Sequence, residues 1–114
     1  MLNVSTVNTA WVVVLASGVL EVVFSVTLKM SDGFSKLWPT LVSVSSAVLS
    51  VWLMSLTLKV LPIGTAYAVW AGIGAAGTAA VGIVFFHEPA SWARLVCMGL
   101  VVVGIVGLQL QGLD

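Results

Sequence analysis

The chain has 114 residues, 61% of them hydrophobic and 7% charged, with four Lys or Arg balanced by four Asp or Glu. A mean hydropathy of +1.21 lies far outside the range of water-soluble domains and implies a chain that sits mostly in lipid. Four scattered cations cannot build a phosphate-gripping patch, which excludes nucleic acid as a partner, and a lone cysteine, Cys97, excludes an internal disulfide and a cysteine metal cage.

Four apolar runs follow one another, each near the ~20 residues that a helix needs to cross the hydrocarbon layer. They cover residues 10–28, 39–58, 63–86 and 93–111. No Lys or Arg precedes the first run, so it reads as a retained span rather than a cleaved signal. The breaks are short and hold most of the charge. Asp32-Gly33 is a turn signal in the first break, Pro62 closes the second, and the third reads HEPASW. Pro39 and Pro62 suit helix starts, while Trp11, Trp38 and Trp92 suit headgroup depth at span ends. The expectation is an all-α integral membrane protein: one four-helix bundle running up and down through the bilayer, multi-pass in the cell membrane. Lys29, Lys36 and Arg94 mark one side, Lys59 and the amino terminus the other, a mild bias under the positive-inside rule.

The first run carries a carboxylate at depth, Glu21. A charge at the centre of a membrane helix costs about 3 kcal/mol on insertion scales and is retained where it faces protein or a water-filled cavity, which makes it a functional site by default. Ser17, Gly18, Phe24 and Ser25 fall three and four residues from Glu21 and share its face. No Lys or Arg sits at comparable depth. The ionised acid therefore needs a cation, which a proton or a cationic solute can supply, and the two compete for one site. That competition is the physical basis of proton antiport.

The second span contributes Ser50, a hydrogen-bonding group for the acid or for an N–H-rich solute. The third brings Tyr67 and Trp70 to one face, a phenol for the acid and an indole surface for a cation. It also carries small residues every fourth position, Gly64, Ala68, Gly72 and Ala76, a stripe for close helix approach. Gly72, Gly74 and Gly77 make the same helix easy to bend. His87 and Glu88, beside Pro89, read as solvated loop residues, and Cys97 as a small buried hydrophobe. No HExxH or paired-Cys spacing supports a metal, and no Gly-rich loop ahead of Lys-Ser or Lys-Thr supports a nucleotide, so neither a cofactor nor an enzyme is expected. Four spans with one acid leave little interior for a pathway, which points to an oligomer whose Glu21 residues share a cavity.

The stretches LEVVFSVTLKMSDGFSKLWP, LPIGTAYAVWAGIGAAGTAAVGIVFFHEP and VVVGIVGLQL resemble the small multidrug resistance family over nearly the whole chain, and look closest to its guanidinium exporter subtype. The resemblance implies an antiparallel dimer that exchanges protons for cations by alternating access. It implies Glu21 as the shared proton and substrate acid, Tyr67 as its hydrogen-bonding neighbour, Trp70 as pocket lining, Ser50 as the serine that orients the acid, and the third helix as the bending element. The sequence departs from the subtype at Phe24, where Trp is usual, at Ala71, where Thr is usual, and at Gln109, where Lys is usual. The expected function is therefore proton-coupled export of guanidinium or small guanidinyl cations. Two alternatives stay open: export of quaternary ammonium or other hydrophobic cationic drugs, and a role as one subunit of a paralogue heterodimer.

Overall fold

A computed structural model describes residues 6–112. Four helices follow in order, α1 (Val7–Met30), α2 (Leu37–Thr57), α3 (Ile63–Phe85) and α4 (Trp92–Gly112), each long and apolar enough to cross a membrane. The Thr6 hydroxyl caps α1 by accepting the Thr9 N–H at 3.2 Å, and Pro62 stands at the N-cap of α3. Pro39 sits inside the first turn of α2, two residues after its start at Leu37, where its missing N–H costs nothing. Between α1 and α2 the chain reverses through Asp32, Gly33 and Phe34, all at positive φ (50°, 69° and 66°). Ser31 supports that turn: its hydroxyl accepts the Phe34 N–H at 3.1 Å and donates to the Leu28 carbonyl at 2.7 Å.

The helices do not close into the expected bundle. They lie in a flattened slab of 42 × 38 × 17 Å. In this row α1 lies between α2 and α3, and α4 packs on the far side of α3. Serines fasten α2 to α1. Ser50 donates to the Ser17 carbonyl at 2.7 Å and Ser43 to the Phe24 carbonyl at 3.3 Å. Seven residues back along α2 thus correspond to seven forward along α1, the register of antiparallel neighbours. Ser43, Ser46 and Ser50 are all buried, and in the absence of a hydrophobic drive between helices such small hydroxyl residues permit close backbone approach and hydrogen bonding.

Glycine does the same work between α1 and α3. A Cβ on Gly18 would stand 2.8 Å from both Cβ and Cγ2 of Ile73, one on Gly74 would stand 3.1 Å from Glu21 Cβ, and one on Gly77 would press on Val22. Gly72 faces the other way, toward Val101 and Ile105 of α4. Gly64, the first member of the small-residue stripe, meets nothing within 4 Å. Close approach to α1 is thus made by Gly74 and Gly77, not by the every-fourth-residue stripe.

Two residues depart from their expected surroundings. Trp11 is buried, 3% exposed, in a core with Val14, Leu61, Ala66 and Val69, whereas Trp38 and Trp92 are 75% and 84% exposed. As the middle helix, α1 is covered even near its end by the α2–α3 turn. Cys97 is exposed because α4 is the edge of the row and buries none of its span within the chain. Lys29, Lys36 and Arg94 lie at one end of the row and Lys59 at the other; the amino terminus lies outside the described residues.

Gly18→Ala is expected to destabilise the chain by about 1–3 kcal/mol, because the new methyl meets the stem of Ile73 and not a flexible tip. Gly64→Ala, which meets nothing, should change stability by less than about 0.5 kcal/mol. Detergent-titration unfolding followed by circular dichroism compares the two.

Candidate functional site

A cavity of about 560 Å³ opens between α1 and α3 and runs to the loop end of the molecule. Glu21 and Ser25 line it from α1, and Tyr67, Trp70, Gly74 and Thr78 from α3. The Glu21 side chain lies along α3 in the space that Gly74 leaves by having no side chain. Among the described residues, no cation stands within ion-pair distance of Glu21.

The aromatic pair on α3 is ordered by helical spacing and by one polar relay. The Tyr67 and Trp70 rings lie 5.7 Å apart, tilted by 52°, a favourable edge-inclined geometry. The Trp70 indole N–H donates to the Ser50 hydroxyl at 2.8 Å, and Ser50 passes its own hydrogen to the Ser17 carbonyl. Ser50 thus fixes the indole and ties three helices together at one point. It is buried and does not line the cavity itself. Tyr67 is 56% exposed, and among the described residues its phenol makes no hydrogen bond to Glu21. Phe24 lies outside the cavity lining, half-buried, with its carbonyl accepting from Ser43 and Thr27. Of the glycines singled out in sequence, Gly74 lines the cavity, Gly72 and Gly77 pack at helix contacts, and Gly64 is open.

Glu88 is not the free loop residue that its setting beside a proline implies. Its carboxylate accepts from Arg94 Nη2, stands 3.8 Å from Lys29 Nζ, and lines the same cavity as Glu21. The hydrogen bond from Arg94 outweighs partial desolvation and, with the charges of Arg94 and Lys29, holds the Glu88 carboxyl below the usual carboxylate range. Thr78 also went unremarked in sequence; its hydroxyl is buried at the cavity wall with no partner among the described residues. Its place one turn beyond Gly74 was the available signal.

A matching family model covers residues 9–101 and describes the small multidrug resistance protein. The chain belongs to the small multidrug resistance family. Among curated relatives, a guanidinium exporter of Salmonella typhimurium is 50% identical over 102 residues, 90% of this chain and 97% of the relative. One from Yersinia pseudotuberculosis is 48% identical over 101 residues, and one from Citrobacter freundii 46% over 102, with nearly the same coverage. Family membership and four apolar helices make the chain a multi-pass cell-membrane transporter. In this small multidrug resistance protein, Glu21 lines the cavity with no protein cation within ion-pair distance among the described residues.

Two outcomes follow. Ser50→Ala removes the acceptor of the Trp70 indole and should cost about 1 kcal/mol in unfolding experiments, since a partly buried donor loses its partner. A depressed carboxyl contributes stability above its ordinary pKa of about 4.3 and loses it as pH falls through the lower folded value. Wild type should therefore exceed Glu88→Gln in stability at neutral pH, with the gap closing below about pH 4, as followed by unfolding at a series of pH values.

Proposed function

We propose that the protein is a proton-coupled exporter of guanidinium or small guanidinyl cations, with Glu21 as the exchange site. The observation that supports this most directly is a carboxylate in an open cavity with no ion-pair partner among the described residues. Relatives that are about half identical over nearly their full length carry the name guanidinium exporter.

A carboxylate in this setting must be neutralised before the helices can move around it, because a bare charge in a low-dielectric interior costs several kcal/mol. A proton serves, and so does a cation. Binding of one removes the charge that attracts the other, so proton and solute alternate on Glu21 and their gradients are coupled. Guanidinium is planar and offers paired N–H groups, which carboxylate oxygens accept two at a time. Trp70 presents an indole face to such a cation, held in place through Ser50. Tyr67 lies beside it with its phenol free to reach solute or acid.

The site is half of a site. The slab leaves one side of the cavity open and α4 without buried residues. A second copy inserted antiparallel would cover both and bring a second Glu21 to the same space. Alternating access then needs only that the two copies exchange conformations, with α3 flexing at Gly72, Gly74 and Gly77. If two protons enter for each monovalent cation that leaves, one net charge crosses, and 100 mV adds about 2.3 kcal/mol to export.

The test is a solid-supported membrane current measured on the reconstituted full-length chain. Guanidinium pulses should give currents with wild type and none above background with Glu21→Gln. Currents only with tetraalkylammonium ions reject guanidinium as substrate, and a silent wild-type chain that gains activity with a paralogue rejects the homodimer.

A further inference from the structure

The loop end of the cavity holds a second charged cluster that the exchange chemistry at Glu21 does not use. Lys29, Glu88 and Arg94 line the same cavity as Glu21. Lys29 follows Glu21 by eight residues on α1, a rise of about 12 Å at 1.5 Å per residue. These groups therefore stand toward the mouth, with Glu21 deeper.

Several independent features place the Glu88 carboxylate there. His87 takes positive φ, 58°, which turns the chain back after α3. The Glu88 N–H donates to the Gly82 carbonyl at 3.1 Å. Gly82 has no side chain, and a Cβ there would collide with the Glu88 carboxylate, so the acid can fold onto α3. Arg94 then holds both the carboxylate and, through Nη1 at 3.2 Å, the Pro89 carbonyl. Lys29 sits between Glu88 and the Phe86 ring, 4.7 Å from its centroid. A loop acid with no task beyond solvation would point into water and would not need a glycine opposite it.

We propose that Glu88 is a specificity-determining residue for cationic solutes: folded back onto Gly82, it cancels one of the two positive charges that Lys29 and Arg94 present along the route to Glu21. This rests on the reading that the solute is a cation. With Glu88 in place the cluster carries a net charge of one; without it, two like charges face the incoming ion inside a low-dielectric cleft, which focuses their field. Glu88 acts on approach and not on the exchange step, so its effect belongs to KM and to salt dependence.

The experiment measures initial currents of the reconstituted full-length chain at low and high ionic strength for wild type, Glu88→Gln and Arg94→Gln. Wild-type guanidinium currents test the proposed function separately; where they are absent, the same ratios are read with tetraethylammonium. At about 10 mM salt, where charges act over about 30 Å, Glu88→Gln should raise KM roughly threefold or more with kcat unchanged. Arg94→Gln, which removes a positive charge, should lower it. At about 1 M salt the differences should collapse. If the ion pair only braces the loop, both variants raise KM alike and salt has no effect, which overturns the proposal, as does an unchanged KM in Glu88→Gln. Should the single variant fail to reconstitute, the double variant Glu88→Gln with Arg94→Gln keeps the net charge of one without the bond. It should match wild type within about twofold in KM and salt response, and a clearly raised KM in it overturns the proposal.

Discussion

The constraint on this structure is one carboxylate, Glu21, held within an apolar span with no protein cation in ion-pair reach among the described residues. Glu21 can stay there because α3 offers it the bare backbone of Gly74 where a side chain would otherwise stand, and because the cavity along that contact is open. A lysine at the same depth would satisfy the charge permanently and leave nothing for a solute to neutralise. Ion pairing is instead kept to the loop end, where Glu88 has Arg94 and Lys29.

The packing follows from that requirement. A closed bundle of four helices would bury Glu21 among apolar side chains; the flattened arrangement leaves its face accessible while α1 still packs against both α2 and α3. The row is fastened with small groups, serine hydroxyls against backbone carbonyls on one side of α1 and glycines on the other. That choice suits lipid, where apolar side chains gain nothing by leaving their surroundings and close approach with hydrogen bonding supplies the attraction. It also leaves α4 attached by one face only, which is why an edge cysteine is exposed.

Features confined to one helix were readable before folding. The depth of Glu21, the shared face of Tyr67 and Trp70, and the turn at Asp32-Gly33 all depend on spacing along a single segment. What depended on a neighbour was not. A tryptophan near a span end looks the same whether it stays exposed, like Trp38 and Trp92, or lies under the next turn like Trp11. A stripe of small residues at every fourth position suggests a contact face, yet the contact with α1 goes through Gly74 and Gly77, because helix rotation is decided by what packs opposite. Ser50 was legible as a hydrogen-bonding group for the acid or a solute, but its partners are the Trp70 indole and a carbonyl. With apolar residues on all faces, these helices carry almost no amphipathic signal from which orientation could be read.

The two acids of the cavity show how environment divides the work between identical side chains. Glu88 receives a hydrogen bond from Arg94 and lies beside Lys29, so it stays ionised across the whole range in which a cell operates. A group whose charge never changes cannot carry a proton, but it can shape the field through which ions pass. Glu21 has no such partners among the described residues and faces the open cavity. The same side chain is thus paired at the loop end and unpaired, among the described residues, farther along the cavity.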